Sequence, residues 1–186
     1  MSYRIASRYA KSLIQLAQEN GKLKEVYSDM KDIDRIFESS RDLKLMFKSP
    51  IIPGDKKLTI VTKLFQGKVS DLLFRFLTLM IKKGREAHFH EMTSSFIEQY
   101  NTLNNITPVT ITSAVKLDAG LLQSMLAALK TKEKLGEVEL TEEIDESMIG
   151  GFILKYGDKM IDSSVSRSLG TLRNIIEDDS YIKKYS

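Results

Sequence analysis

Through the first hundred residues, apolar side chains recur at the three- and four-residue spacing of amphipathic helices, and Gly or Pro interrupts them at short intervals. A first helix over 3–19 gathers Ile5, Ala6, Tyr9, Ala10, Leu13, Ile14, Leu16 and Ala17 on an arc of roughly 180°, at about 100° per residue. Asn20-Gly21 supplies a left-handed stop. A second helix carries Leu23, Val26, Tyr27, Met30, Ile33 and Phe37 on one stripe, and Ser39-Ser40 offers an N-cap for a short third helix with Leu43, Met46 and Phe47. Beyond the breaks at Pro50 and Pro53-Gly54, a fourth helix holds Leu58, Val61, Leu64 and Phe65 and stops at Gly67. A fifth runs from near Ser70 to Gly84, and a sixth covers 85–103. The expected architecture is an all-α six-helix bundle over 1–105.

Two of these helices have more apolar surface than one core requires. The fifth places Leu72, Leu73, Phe74, Phe76, Leu77, Leu79, Met80 and Ile81 within ten residues, and the first has an arc wider than the roughly 100° stripe of a surface helix. Its Ala6, Ala10, Leu13, Ala17 edge also allows another helix backbone to come close. Either both helices are the centre of the bundle, or they border a groove for a partner helix.

The pattern changes at 101–108, NTLNNITP, which is polar and closed by Pro108, so a domain boundary is expected there. The segment 106–186 then reads strand, helix, strand, strand, helix: a small α+β domain. Val109, Ile111 and Ser113 alternate with threonines, and 117–130 has Leu121, Leu122, Met125, Leu126 and Leu129 on a helical face. Val138, Leu140 and Ile144 punctuate an acidic run. After Gly150-Gly151, Phe152 to Leu154 form one strand, Gly157-Asp158 a hairpin turn and Met160-Ile161 the return strand. Asp162 or Ser163 caps a last helix with Val165, Leu169, Leu172 and Ile176 on one face.

Composition narrows the chemistry. The 186 residues include no cysteine, which removes disulfides, thiolate metal sites and a cysteine nucleophile, and suits a reducing compartment. Residues 1–105 hold 18 Lys and Arg against 12 Asp and Glu, and 106–186 hold 10 against 13. The opening MSYRIASRYAK does not read as a signal peptide, so a cytosolic chain is expected. The longest apolar run, 72–81, is broken by Arg75 and Thr78 and is half the ~20 residues of a spanning helix.

Catalytic constellations are weak. His88 and His90 lack the i, i+4 spacing of a helical zinc pair, and no further ligand cluster accompanies Glu86 and Glu91. The run Glu137, Glu139, Glu142, Glu143, Asp145 and Glu146 alternates with apolar strand positions as a solvated face does. Gly150-Gly151 lacks the Lys-Ser/Thr of a phosphate loop and suits a bulge or a close backbone approach. A basic, helical nucleic-acid-binding protein is the alternative reading, but the cations, among them Arg4, Arg8, Lys22, Lys31, Lys56 and Lys63, form no dense stripe.

The segment 138–169 carries the most specific pattern: Val138, Leu140, Ile144, Asp145, Met148, Gly150, Gly151, Phe152, Leu154, Lys155 and Gly157 in order, followed by DKMIDSSV. With ASRYAKSLIQLA at 6–17 and LMIKKGREAHFHEMTSSF at 79–96, it resembles the delta subunit family of bacterial F-type ATP synthases, relatives of the mitochondrial oligomycin-sensitivity-conferring protein. The resemblance implies a non-catalytic stator subunit, without cofactor or metal, that links the catalytic head to the peripheral stalk and so supports proton-driven ATP synthesis. It further implies that the N-terminal bundle binds the amphipathic N-terminal helix of an alpha subunit between the first and fifth helices. By position, Ala6, Tyr9, Ala10 and Leu13 would form one wall and Leu73, Leu77 and Met80 the other. The C-terminal domain would meet the b subunits of the stalk through Gly150, Gly151, Val165 and Leu169. The expected location is peripheral, on the cytoplasmic face of the inner membrane, with the membrane met only through the complex and no nucleic acid partner.

Overall fold

The computed structural model describes residues 2–133 and 136–170, and the chain divides into two compact units between Leu103 and Asn104, two residues before the boundary expected from the sequence.

The first unit comprises α1 (Ser2–Glu19), α2 (Leu23–Ser39), α3 (Arg41–Lys48), α4 (Gly54–Phe65), α5 (Asp71–Lys82), a 3-10 turn (Glu86–His88) and α6 (Phe89–Leu103). Local chemistry sets several of these ends. After α1, Gly21 takes φ 64°, the Gly21 N–H donates to the Gln18 carbonyl at 3.0 Å and the Lys22 N–H to the Ala17 carbonyl at 2.9 Å. That hydrogen-bond pair closes a helix on a left-handed residue. Gly84 repeats the device after α5, with φ 65° and the Arg85 N–H bonded to the Met80 carbonyl at 2.9 Å. The chain therefore re-enters through the 3-10 turn, and α6 begins at Phe89 instead of near Arg85. At the start of α3, the Ser40 hydroxyl accepts from the Leu43 N–H at 3.3 Å, as the Ser-Ser pair predicts. The start of α5 is held from elsewhere: the Ser70 N–H donates to Asp29 Oδ2 of α2 at 2.7 Å.

α6 is the central element, and both α1 and α2 pack along it. Val26, Met30, Ile33 and Phe37 of α2 and Phe89, Met92 and Phe96 of α6 are fully buried, each side chain contributing about 1.5–3 kcal/mol from burial. Phe37, Phe47 and Phe89 form an aromatic cluster with ring centroids 5.0–5.8 Å apart. Tyr27 stacks on Tyr100 at 3.7 Å and donates to Asn101 Oδ1 at 3.0 Å.

The second unit comprises β1 (Ile106–Ser113), α7 (Ala119–Glu133), β2 (Glu137–Ile144), β3 (Phe152–Tyr156) and β4 (Lys159–Asp162), followed by a helical segment at 165–170. The sheet order is β2-β1-β3-β4, with β1 parallel to β2 and antiparallel to β3, and β4 antiparallel to β3. The acidic run 137–144 is thus a full strand, and the sheet has four strands where the sequence reading had three. As an edge strand it buries little: Val138 and Leu140 pack against the core while 141–144 are exposed, which is why its apolar signal is thin. Val109, Ile111, Leu122, Leu129, Leu154 and Tyr156 form the core between sheet and α7.

Candidate partner-binding groove

The surplus apolar surface of α1 and α5 has a definite geometry. Ala6, Ala10 and Leu13 are fully buried, and Leu73, Leu77 and Met80 are at most 2% exposed. Six of the seven wall positions transferred by resemblance therefore face the interior of the unit. α1 packs along α6 within the unit, and its small-residue edge is buried in that interior. Tyr9, the seventh, is half-buried and meets Phe76 edge to face, with centroids 6.5 Å apart at 75°.

The opposite edges of the two helices border an open groove of about 480 Å³ lined by Leu16, Asn20, Lys22, Asp71, Leu72, Arg75, Phe76 and Leu79. Leu16 is 40% exposed and Leu79 52%. Leu72, Arg75, Phe76 and Leu79 follow the i, i+3, i+4, i+7 spacing of one helix face. The arginine within that row was the signal in the sequence: a face that holds Arg75 is not the core face, so its apolar neighbours are the ones left open. An open groove thus lies between α1 and α5, and its lining differs from the seven wall positions transferred by resemblance.

In the second unit Gly150, Gly151 and Val165 are brought together. The Val165 N–H donates to the Gly150 carbonyl at 3.0 Å, and the Ser163 N–H to the Phe152 carbonyl at 3.0 Å. Gly151 has φ 81°, and a Cβ there would lie 2.3 Å from the Ser163 carbonyl oxygen. The glycine pair is a close backbone approach, as its strand setting predicts. Val165 and Leu169, one turn apart, are 39% and 51% exposed; Leu172 and Ile176 lie outside the described residues. The cap of this helix is Ser164, whose hydroxyl accepts from the Arg167 N–H at 3.3 Å, one residue past Ser163 and two past Asp162, the two candidates. Asp162 Oδ1 accepts from the Ser164 N–H at 2.9 Å. The Ser164 bonds, with Arg167 nearby, hold the Asp162 carboxyl below its ordinary pKa.

The histidine segment builds packing and loose polar contacts. His88 Nδ1 lies 3.7 Å from Glu91 Oε2, Lys48 Nζ lies 3.8 Å from Glu91 Oε1, and His90 sits edge-on to Phe37 at 5.5 Å. Among the described residues no three His, Asp or Glu side chains are grouped to hold a metal ion, and no helix is long and apolar enough to cross a membrane.

Fold and site together define a two-domain protein whose candidate site is an exposed apolar groove on a helical domain, joined to a small α+β domain. The family model for the ATP synthase delta (OSCP) subunit matches residues 5–176. Among curated relatives, ATP synthase subunit delta of Cytophaga hutchinsonii is 41% identical over 171 residues, covering 92% of this chain and 93% of its own. That of Christiangramia forsetii is 35% identical over 182 residues, covering 97% of each. A chain of the Toxoplasma gondii mitochondrial ATP synthase hexamer has the same fold, with a TM-score of 0.67 at 20% identity over 92% of this chain and 96% of that one. The chain belongs to the ATP synthase delta (OSCP) family, and its function is that of the delta subunit of an F-type ATP synthase, a component of the peripheral stalk. It thus works among the other subunits of a membrane-associated complex. The comparisons give the nucleic-acid alternative no support.

Proposed function

We propose that this subunit is a non-catalytic joint: its helical unit holds the amphipathic N-terminal helix of an alpha subunit in the α1–α5 groove, and its α+β unit meets the b subunits of the stalk on the cytoplasmic face of the membrane. The observation that carries this reading is the open row of Leu16, Leu72, Phe76 and Leu79 beside Tyr9. A helix lying there inserts apolar side chains at i, i+3, i+4 and i+7 between the two walls. Completing the burial of Leu16 and Leu79, about half exposed, and of the smaller exposed parts of Leu72 and Phe76 contributes about 2–4 kcal/mol, against the roughly 8 kcal/mol that a micromolar joint requires. Polar groups on the rim and further apolar contacts of the partner supply the remainder. On the second unit, exposed Val165 and Leu169 beside the Gly150-Gly151 approach are the proposed surface for the b subunits.

Titration calorimetry of the full chain against a peptide from the N-terminus of the same organism's alpha subunit tests the groove. Saturable one-to-one binding that Leu79→Glu weakens by about tenfold or more, with the helical melting transition unchanged, is the expected result. Equal affinity for the variant would overturn the groove assignment.

A further inference from the structure

The rim of the groove carries two cations, Lys22 and Arg75, and one carboxylate, Asp71. Their circumstances differ. Asp71 lies in the first turn of α5, where the helix N-terminus favours negative charge. Lys22 faces Glu25 at 3.9 Å, with both side chains about half exposed, a loose contact in water. Arg75 is exposed and, among the described residues, within ion-pairing distance of no carboxylate. It projects from the same face as Leu72, Phe76 and Leu79, so a ligand covering those side chains must pass beside the guanidinium. Its planar fork is suited to a bidentate carboxylate.

Resting on the groove reading above, we propose that Arg75 and Lys22 select the ligand: the occupant is an amphipathic helix with carboxylates flanking its apolar stripe, and Arg75 pairs with one of them. An amphipathic helix flanked by lysines would meet an unpaired arginine and be rejected, so the cationic rim fixes which helices, and which register, the apolar row accepts.

The test uses two probes on the full chain: the alpha N-terminal peptide, and the same peptide with every Asp and Glu changed to Asn and Gln. Arg75→Glu is expected to weaken binding of the native peptide about fivefold to tenfold at low salt. The gap should close in 1 M salt, where the screening length is about 3 Å, and the neutral peptide should bind wild type and variant alike. Equal binding of the native peptide to both chains, or an equal loss with the neutral peptide, would overturn the charge selection. Leu79→Glu separates the two readings. If it abolishes binding while Arg75→Glu has no effect, the groove stands and the charge selection falls. If neither substitution matters, the groove itself falls.

Discussion

Lys57 Nζ lies 2.7 Å from Glu86 Oε1 and 3.1 Å from the Phe47 carbonyl oxygen, with the lysine side chain 3% exposed and the glutamate 13%. The pair ties α4 to the 3-10 turn and to the end of α3, so three short elements that bury few side chains of their own share one buried charge contact. Removing one partner leaves the other desolvated and unpaired. Glu86→Ala is expected to destabilise the helical unit by about 3–5 kcal/mol, whereas the double change Lys57→Met with Glu86→Leu should cost far less. Thermal unfolding followed by the helical circular dichroism signal checks both.

Ala10→Glu and Leu79→Glu should part company. Ala10 is fully buried and Leu79 is 52% exposed, so the first drives an unpaired carboxylate into the core and the second alters surface. Ala10→Glu should unfold the helical unit or lower its melting temperature sharply. Leu79→Glu should shift stability by about 0.5 kcal/mol or less while it weakens the alpha peptide. Melting curves beside the calorimetric titration give the comparison.

Two glycines with positive φ should respond differently to alanine. At Gly151 the added Cβ would strike the Ser163 carbonyl oxygen, whereas at Gly157, φ 52° in the β3–β4 hairpin, nothing lies within 4 Å. Gly157→Ala carries only the left-handed penalty of about 1–2 kcal/mol. Gly151→Ala must also push the start of the last helix away from β3 and should cost clearly more. Hydrogen exchange of the β3 amides, compared between the variants, reads the difference.

Asp34 gives a pH prediction. Burial and the nearby Glu38 push its pKa above the ordinary value, with His90 and Lys44 pulling the other way. An aspartate whose folded pKa is raised favours the fold in its protonated form; that contribution is complete below the unfolded pKa and is lost as pH rises through the folded one. Asp34→Asn should therefore raise the melting temperature at neutral pH, and the gain should shrink as the pH falls into the carboxylate range. A gain independent of pH would assign the effect to something other than ionisation.

The helix count of the first unit and the hairpin of the second were legible because local signals carry them: stripes at helical spacing, Gly21 and Gly84 stops, the Ser40 cap, the Gly157-Asp158 turn. β2 was half-legible, since an edge strand that buries only Val138 and Leu140 on one side leaves a run of exposed acidic residues. The surplus apolar surface was legible as belonging to α1 and α5, but not which of their side chains stay open. On helices whose apolar arcs are this wide, periodicity does not say which edge the neighbouring helices cover; α1 packs chiefly along α6, and its alanine edge is buried within the unit. The Lys57–Glu86 pair and the Asp29 anchor of α5 join residues 29 and 41 positions apart, and no local pattern announces such contacts.

Only Asn104 and Asn105 stand between the end of α6 and the start of β1. Tension passed from one unit to the other therefore enters the sheet through β1, which is laced to β2 along 106–113 and to β3 along 109–113. β1 is therefore held by a neighbouring strand on each side, whereas among the described residues β4, at the margin of the sheet, pairs with β3 alone. The linker thus enters the α+β unit at a strand held from both sides, so any strain that reaches the domain through it meets two ladders at once.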